Sequence, residues 1–175
     1  MSKEPATEIN IEEAKKDKLF YFVVNVVPFR SSDNRCLIIK RSEREKAHPN
    51  KWAVPGGKLE WGDLDVNNPE SMNGIVKDYD SAISELASRE VKEECGLDLF
   101  GDMYYLMSKA FIRPDGVPVV LIKFASEVLD GDIVLEEGAF TDYAWVNKDE
   151  ALQYDCIDGV PEEIKKTLEL DCVKN

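Results

Sequence analysis

The pattern of apolar and polar positions predicts two strands near the start of the chain. Residues 19–29 are almost all apolar, and many are β-branched or aromatic, which is typical of a strand buried on both faces. A second apolar run at 36–40 is separated from the first by the sequence Ser-Ser-Asp-Asn at 31–34, which favours a turn. The two runs therefore predict a hairpin.

Apolar runs also predict strands in the second half of the chain. The longer runs, at 103–113 and 117–126, flank the turn sequence Pro-Asp-Gly at 114–116. Shorter runs at 133–135 and 143–146 predict two more short strands.

Two helices are predicted from a period of about 3.6 residues. In residues 83–95 the apolar positions fall on one side of a helix, and Gly96 is expected to end it in the left-handed conformation. Residues 161–170 begin with proline and predict a terminal helix packed on the sheet. The order strands, helix, strands, helix predicts an α/β fold, with one domain at 19–175 after an N-terminal tail at 1–18.

Three carboxylates stand on or beside the apolar side of the first helix. Glu90 and Glu94 fall on that side, and Glu93 lies at its flank. Leaving ionised carboxylates buried and unpaired costs on the order of several kcal/mol each, and repulsion between neighbouring acids adds to this. A cation is therefore expected among them.

An arginine or a bound metal ion could supply this positive charge. Arg89 has Glu85 and Glu93 four residues away on either side, so it can serve one carboxylate but not three. Oxygen ligands without an adjacent His or Cys favour a hard ion, Mg²⁺ or Mn²⁺. The alternative is an acidic helix face exposed to water. The metal site is favoured because the acids interrupt the apolar stripe instead of lying opposite it.

A glycine turn precedes this helix and completes a longer sequence pattern. Residues 52–60 predict a short strand that runs into Gly56-Gly57, where backbone groups can approach a ligand closely. Together with residues 89–97, this stretch resembles the signature of the Nudix hydrolase family. In words, that signature is a glycine, five residues, Glu, seven residues, Arg-Glu, an aliphatic residue, any residue, Glu-Glu, any residue, a glycine and an aliphatic residue. Its second half matches at every fixed position, and its first half matches at Gly57.

The first half of the signature departs from the family pattern in two ways. Asp63 stands where the family has Glu, and 25 residues instead of seven separate it from Arg89. The extra residues fall within 64–80, which has turn-forming Asn, Gly and Pro and few apolar residues, so we expect an inserted loop. The equivalent of the first signature Glu is left open between Asp63 and the start of the helix, at Asp80 or Ser81.

The resemblance implies an α/β/α sandwich of the Nudix type with a mixed central sheet. It also implies a metal-dependent hydrolase that cleaves a phosphoanhydride bond in a nucleoside diphosphate derivative. The expected ligands of Mg²⁺ or Mn²⁺ are the Gly56 carbonyl and the side chains of Glu90, Glu93 and Glu94. No organic cofactor is expected.

Within the same resemblance, four residues are expected to take part in catalysis. Glu94 is expected to act as a metal ligand, and Arg89 is expected to orient the carboxylates through Glu85 or Glu93. The proton of the attacking water is expected to pass to Glu93 or to an acid of the loop at 136–142, for which we select Glu137.

Charge and aromatic residues bear on the substrate. The net charge of −13 argues against a nucleic-acid backbone as the main ligand. Residues 30–58, however, contain eight Lys or Arg and three acids, which suits a bound diphosphate. We select Arg41, Lys58 and Trp61 as substrate contacts, with Trp61 stacking on a base.

Several functions remain open at this point. A (deoxy)nucleoside triphosphate is the preferred substrate, with nucleotide sugars and dinucleoside polyphosphates as alternatives. A Nudix-fold domain that senses a nucleotide without cleaving it is a further alternative, favoured by the split signature. Isomerisation of an isoprenoid diphosphate is disfavoured, because the chain has one histidine.

The remaining expectations concern location and partners. Residues 1–18 lack the apolar run of a signal peptide and no window resembles a membrane span, so we expect a cytoplasmic protein without a membrane partner. The four cysteines show no paired spacing typical of zinc or redox sites. The expected partner is a small nucleotide, and a homodimer is left open.

Overall fold

The computed structural model describes residues 4–9, 18–170 and 173. Within these ranges the chain forms nine strands and two α-helices. In chain order they are β1 (Tyr21–Arg30), β2 (Arg35–Arg41), β3 (Trp52–Ala53), β4 (Gly56–Lys58), β5 (Ser71–Asn73), β6 (Val76–Asp78), α1 (Ala82–Cys95), β7 (Leu99–Ile112), β8 (Pro118–Val128), β9 (Phe140–Val146) and α2 (Val160–Leu168).

The centre of the main sheet is a parallel pair, β1 and β8. β7 pairs with β8 in the antiparallel sense, and β2 joins β1 at their common hairpin turn. β3 and β9 both pair with β2, and the short β4 pairs with β1. Parallel and antiparallel pairings therefore occur in one sheet, which confirms the predicted mixed topology.

The two helices cover opposite faces of this sheet. Because side chains alternate along a strand, Val24 and Val26 of β1 pack with α1, whereas Val27 and Phe29 pack with α2. On α1 the fully buried residues include Leu86, whose burial stabilises the fold by about 1.5–3 kcal/mol. The layers form the expected α/β/α sandwich.

The ends of α1 have identifiable causes. At its start, the Ser81 N–H donates to a carboxylate oxygen of Glu70 at 3.0 Å, which satisfies a backbone group that has no partner within the helix. At its end, Gly96 has φ of 75° and its N–H donates to the Lys92 carbonyl at 2.9 Å. The predicted left-handed end at Gly96 is confirmed.

The core beneath α2 contains a buried ion pair. Lys123 of β8 is 4% exposed and Glu163 of α2 is 1% exposed, and Nζ donates to Oε1 at 2.5 Å. Among the described residues, Oε2 of Glu163 has no hydrogen-bond partner. Burial raises the pKa of Glu163, and Lys123 opposes that shift.

Two expectations about secondary structure are wrong. Residues 133–135 do not form a strand: this extended segment lies along the end of α1, where the Val134 N–H donates to the Cys95 carbonyl at 3.0 Å. The insertion at 64–80 is more than a loop, because β5 and β6 form a hairpin within it.

The predicted tail is described only at 4–9 and 18, and its other residues lie outside the described ranges. No helix in the described ranges is long and apolar enough to cross a membrane.

Candidate active site

The glycine turn and α1 meet where β4 pairs with β1. The Gly56 N–H donates to Oε2 of Glu94 at 3.0 Å. A Cβ on Gly57 would lie 2.1 Å from the carboxyl carbon of Glu90, and one on Gly56 would lie 2.3 Å from the Val24 carbonyl oxygen. Gly56 therefore requires glycine, whereas a side chain at Gly57 would displace the Glu90 carboxylate. The turn lies directly against two of the three helix carboxylates.

Burial makes these two carboxylates hard to ionise. Burial raises the pKa of Glu94 to about 8, the Gly56 N–H opposes the shift, and the negative charges of Glu90 and Glu136 add to it. The pKa of Glu90 is also raised, first by burial and then by Glu93, while Arg89 opposes the shift. Glu93 itself is exposed. Glu90 and Glu94 therefore hold their protons more tightly than an exposed carboxylate does.

Arg89 binds different partners from those expected. Its guanidinium donates to Asp63 and, at 3.5 Å, to Glu90, instead of to Glu85 or Glu93. The hydrogen bond from Arg89 holds the pKa of Asp63 below its usual value, and the Glu60 N–H donates to the second oxygen of Asp63 at 2.7 Å. Of the residues considered for the first signature Glu, Asp63 is the one that contacts the arginine of the signature.

These residues line a cleft with a volume of about 820 Å³, which we call the acidic cleft. Its lining includes all three helix carboxylates, both turn glycines, and Arg89, Arg41 and Lys58 among the residues selected from sequence. Glu137 and Trp61 are not part of this lining.

The acid of the 136–142 loop that lines the cleft is Glu136. The Glu136 N–H donates to the Glu94 carbonyl at 3.3 Å, which fixes the loop at the end of α1. The next turn of the loop contains Gly138 with φ of 86°. The sequence offered two adjacent acids here and no periodicity by which to choose between them.

Basic side chains also line the acidic cleft. Arg41 is held by Glu45 and donates through Nε to the Ala47 carbonyl at 2.8 Å. Lys46, His48 and Arg113 also line the cleft, and sequence reasoning missed all three. His48 is exposed. Arg113 comes from the turn after β7, a position that only the folded topology brings to the site.

The donor set suits a hard divalent ion, although the side chains do not converge on one point. Among the described residues, no group of three or more His, Cys, Asp or Glu is arranged to hold a metal ion. The available donors are nevertheless carboxylate and backbone oxygens, the ligands preferred by Mg²⁺ and Mn²⁺. The raised pKa values of Glu90 and Glu94 show that added positive charge would stabilise their ionised forms.

Known proteins resemble this chain in sequence. Nucleoside triphosphatase NudI of Salmonella agona is 27% identical over 139 residues, which cover 74% of this chain and 85% of that protein. NudI of Escherichia coli O81 is 25% identical over the same shares of the two chains. No family model matches the chain.

Solved structures resemble the chain in fold. The MutT protein of Methanosarcina mazei Go1 has a TM-score of 0.60 at 22% identity, and the match covers 87% of this chain and 96% of that one. The NUDIX domain of Shewanella oneidensis NrtR, solved with ADP ribose, has a TM-score of 0.64 at 15% identity, covering 91% and 94%. These structures share the arrangement of sheet and helices described above.

Proposed function

We propose that this chain, which belongs to the Nudix hydrolase family, hydrolyses a phosphoanhydride bond of a (deoxy)nucleoside triphosphate. The expected products are the nucleoside monophosphate and pyrophosphate. The observation that carries the proposal is the pair of partly buried helix carboxylates against the glycine turn, in a cleft whose lining also includes Arg41 and Lys58. The names of the curated relatives, nucleoside triphosphatases, support the choice of substrate.

The helix carboxylates are the proposed holders of the metal. Glu90, Glu93 and Glu94, with the Gly56 carbonyl, would bind Mg²⁺ or Mn²⁺. When bound, such ions neutralise phosphate oxygens, lower the pKa of the attacking water and stabilise the leaving phosphate. Arg89 positions Glu90 through its contacts with that residue and Asp63.

The remaining roles belong to groups on the other walls of the cleft. Glu136 is positioned beside Glu94 and is our choice for the acceptor of the water proton, with Glu93 as the alternative. Arg41 and Lys58 are proposed to bind phosphate oxygens, because a cation on the cleft wall attracts the polyphosphate while the acids hold the metal.

A substrate panel tests the proposal. The protein is assayed with Mg²⁺ and with Mn²⁺ against nucleoside triphosphates, nucleotide sugars and dinucleoside polyphosphates, and the phosphorus products are identified. Release of pyrophosphate from a triphosphate, abolished by EDTA, is expected. Preferred cleavage of a nucleotide sugar or dinucleotide would overturn the substrate choice. Nucleotide binding without turnover would overturn the hydrolase proposal and favour a sensing domain.

A further inference from the structure

A second depression, rich in exposed aromatic residues, lies beside the acidic cleft. We call it the aromatic groove; its volume is about 730 Å³, and its walls include Leu19, Phe20, Tyr21 and Trp61. These four large apolar side chains are 41%, 50%, 48% and 56% exposed, respectively. Single exposed apolar residues are ordinary, but four together around one depression are typical of a binding site.

The aromatic groove adjoins the acidic cleft. Lys58 and Glu60 line both, so the two depressions meet at the end of β4. Nζ of Lys58 lies 5.8 Å from the centre of the Tyr21 ring, which places a cation at the boundary between the aromatic walls and the phosphate-binding side. A ligand lying across this boundary would meet cations first and aromatic rings next.

The wall that carries Trp61 is tied to the catalytic helix. Trp61 begins a short 3-10 helix, Trp61–Asp63, and Asp63 at its end accepts hydrogen bonds from Arg89 of α1 and from the Glu60 N–H. The Trp61 backbone is therefore fixed by the contact between Asp63, two residues further on, and Arg89. Such a support favours a stacking surface of defined position.

We propose that the aromatic groove holds the nucleobase of the substrate whose phosphates lie in the acidic cleft, an inference that rests on the proposed function. Its volume falls within the usual range of small-molecule sites, about 300–1,000 Å³. Its rings offer stacking to any base, since every base has a π-face. Trp61 accordingly contributes to nucleotide affinity without contacting the reacting atoms.

Kinetics with and without a base test this inference. Trp61→Ala, Trp61→Phe and the parent are compared for KM and kcat with the preferred triphosphate. Inorganic triphosphate, which lacks a base, is measured as a competitive inhibitor. Trp61→Ala is expected to raise KM about tenfold, with kcat and the inhibition constant of inorganic triphosphate within about twofold of the parent. Trp61→Phe, which keeps a ring, is expected to restore most of the affinity.

A matched control and a binding measurement complete the test. Tyr105→Ala removes an exposed aromatic residue of β7 that lines neither the acidic cleft nor the aromatic groove, and it is expected to leave KM unchanged. In the parent, the nucleoside monophosphate is expected to quench tryptophan fluorescence, and Trp61→Phe is expected to remove that quenching.

Two results would overturn the inference. The first is an unchanged KM in Trp61→Ala. The second is an equal weakening of nucleotide and inorganic triphosphate, which would mean that the substitution acts on the phosphate side. A parent protein that quenches with nucleotide but hydrolyses none would refute the proposed function and leave the groove as a base site, so the two failures are distinguishable.

Discussion

Replacing Glu94 with Gln probes the site through stability and activity at once. The amide keeps the size of the side chain and an acceptor for the Gly56 N–H, but it removes the charge. The pKa of Glu94 is about 8 in the folded protein, against a reference value of 4.5. Because the folded-state pKa is raised, the stability that the protonated acid contributes is complete below about pH 4.5 and is lost as the pH rises towards 8.

The size of the effect follows from this shift. One pKa unit corresponds to about 1.36 kcal/mol, so at pH 7 the metal-free parent should be less stable than Glu94→Gln by roughly 3 kcal/mol. Near pH 5 the difference should fall below about 1 kcal/mol. With metal present, the same variant should lose about 100-fold or more in kcat, equivalent to about 2.7 kcal/mol of barrier.

The assay pairs denaturant unfolding in EDTA, at pH 5 and pH 7, with turnover of the best substrate. Glu85→Gln is the matched control, because Glu85 lies on the same helix, is exposed and does not line the acidic cleft. It should change the free energy of unfolding by no more than about 0.5 kcal/mol and leave kcat unchanged. Full activity in Glu94→Gln would refute its role as a metal ligand. Equal stability of variant and parent at both pH values would refute the burial argument.

Three further substitutions test other parts of the structure. Glu136→Gln should lower kcat about tenfold or more, and Glu137→Gln should not, when both are assayed at saturating substrate and metal; equal losses would argue against the assignment of the base. Lys123→Met should lower the free energy of unfolding by about 3–5 kcal/mol because it leaves Glu163 buried without its cation, and adding Glu163→Leu should recover most of that loss in a denaturant titration. Glu70→Ala should lower the free energy of unfolding by about 1 kcal/mol, since its carboxylate caps the start of α1; an unchanged denaturation midpoint would contradict this.

The spacing of apolar residues predicted the main helices and strands, because the buried face of each element needs apolar side chains at regular intervals. The α1 stripe, its end at Gly96 and the strands on either side all follow from which faces are buried. The apolar run at 133–135 was wrongly predicted to be a strand. Its side chains are apolar because they pack beside α1, and its backbone is not part of any strand in the described ranges. The β5–β6 hairpin was missed because it is largely exposed, so no buried face marks its strands.

The same limit applies to the candidate site. Carboxylates that interrupt the α1 stripe were visible because burial made them anomalous. The partner of Arg89 was not visible in the sequence, because Asp63 is 26 positions away and reaches Arg89 only through the folded glycine turn. Contacts of Arg113 and Glu136 with the cleft likewise depend on turns between elements, whose direction no sequence period encodes.

The parallel pairing of β1 with β8 has a consequence for the order of assembly. Tyr21 pairs with Val119 and Phe29 with Glu127, so the central ladder joins segments almost a hundred positions apart. The chain must bring these distant segments together before the hydrogen bonds of the ladder contribute any stability. This pairing therefore forms more slowly than local contacts do. During synthesis β1 therefore leaves the ribosome long before its parallel partner β8. The glycine turn, whose strand β4 pairs with β1, is then part of an incomplete sheet until β8 has been made.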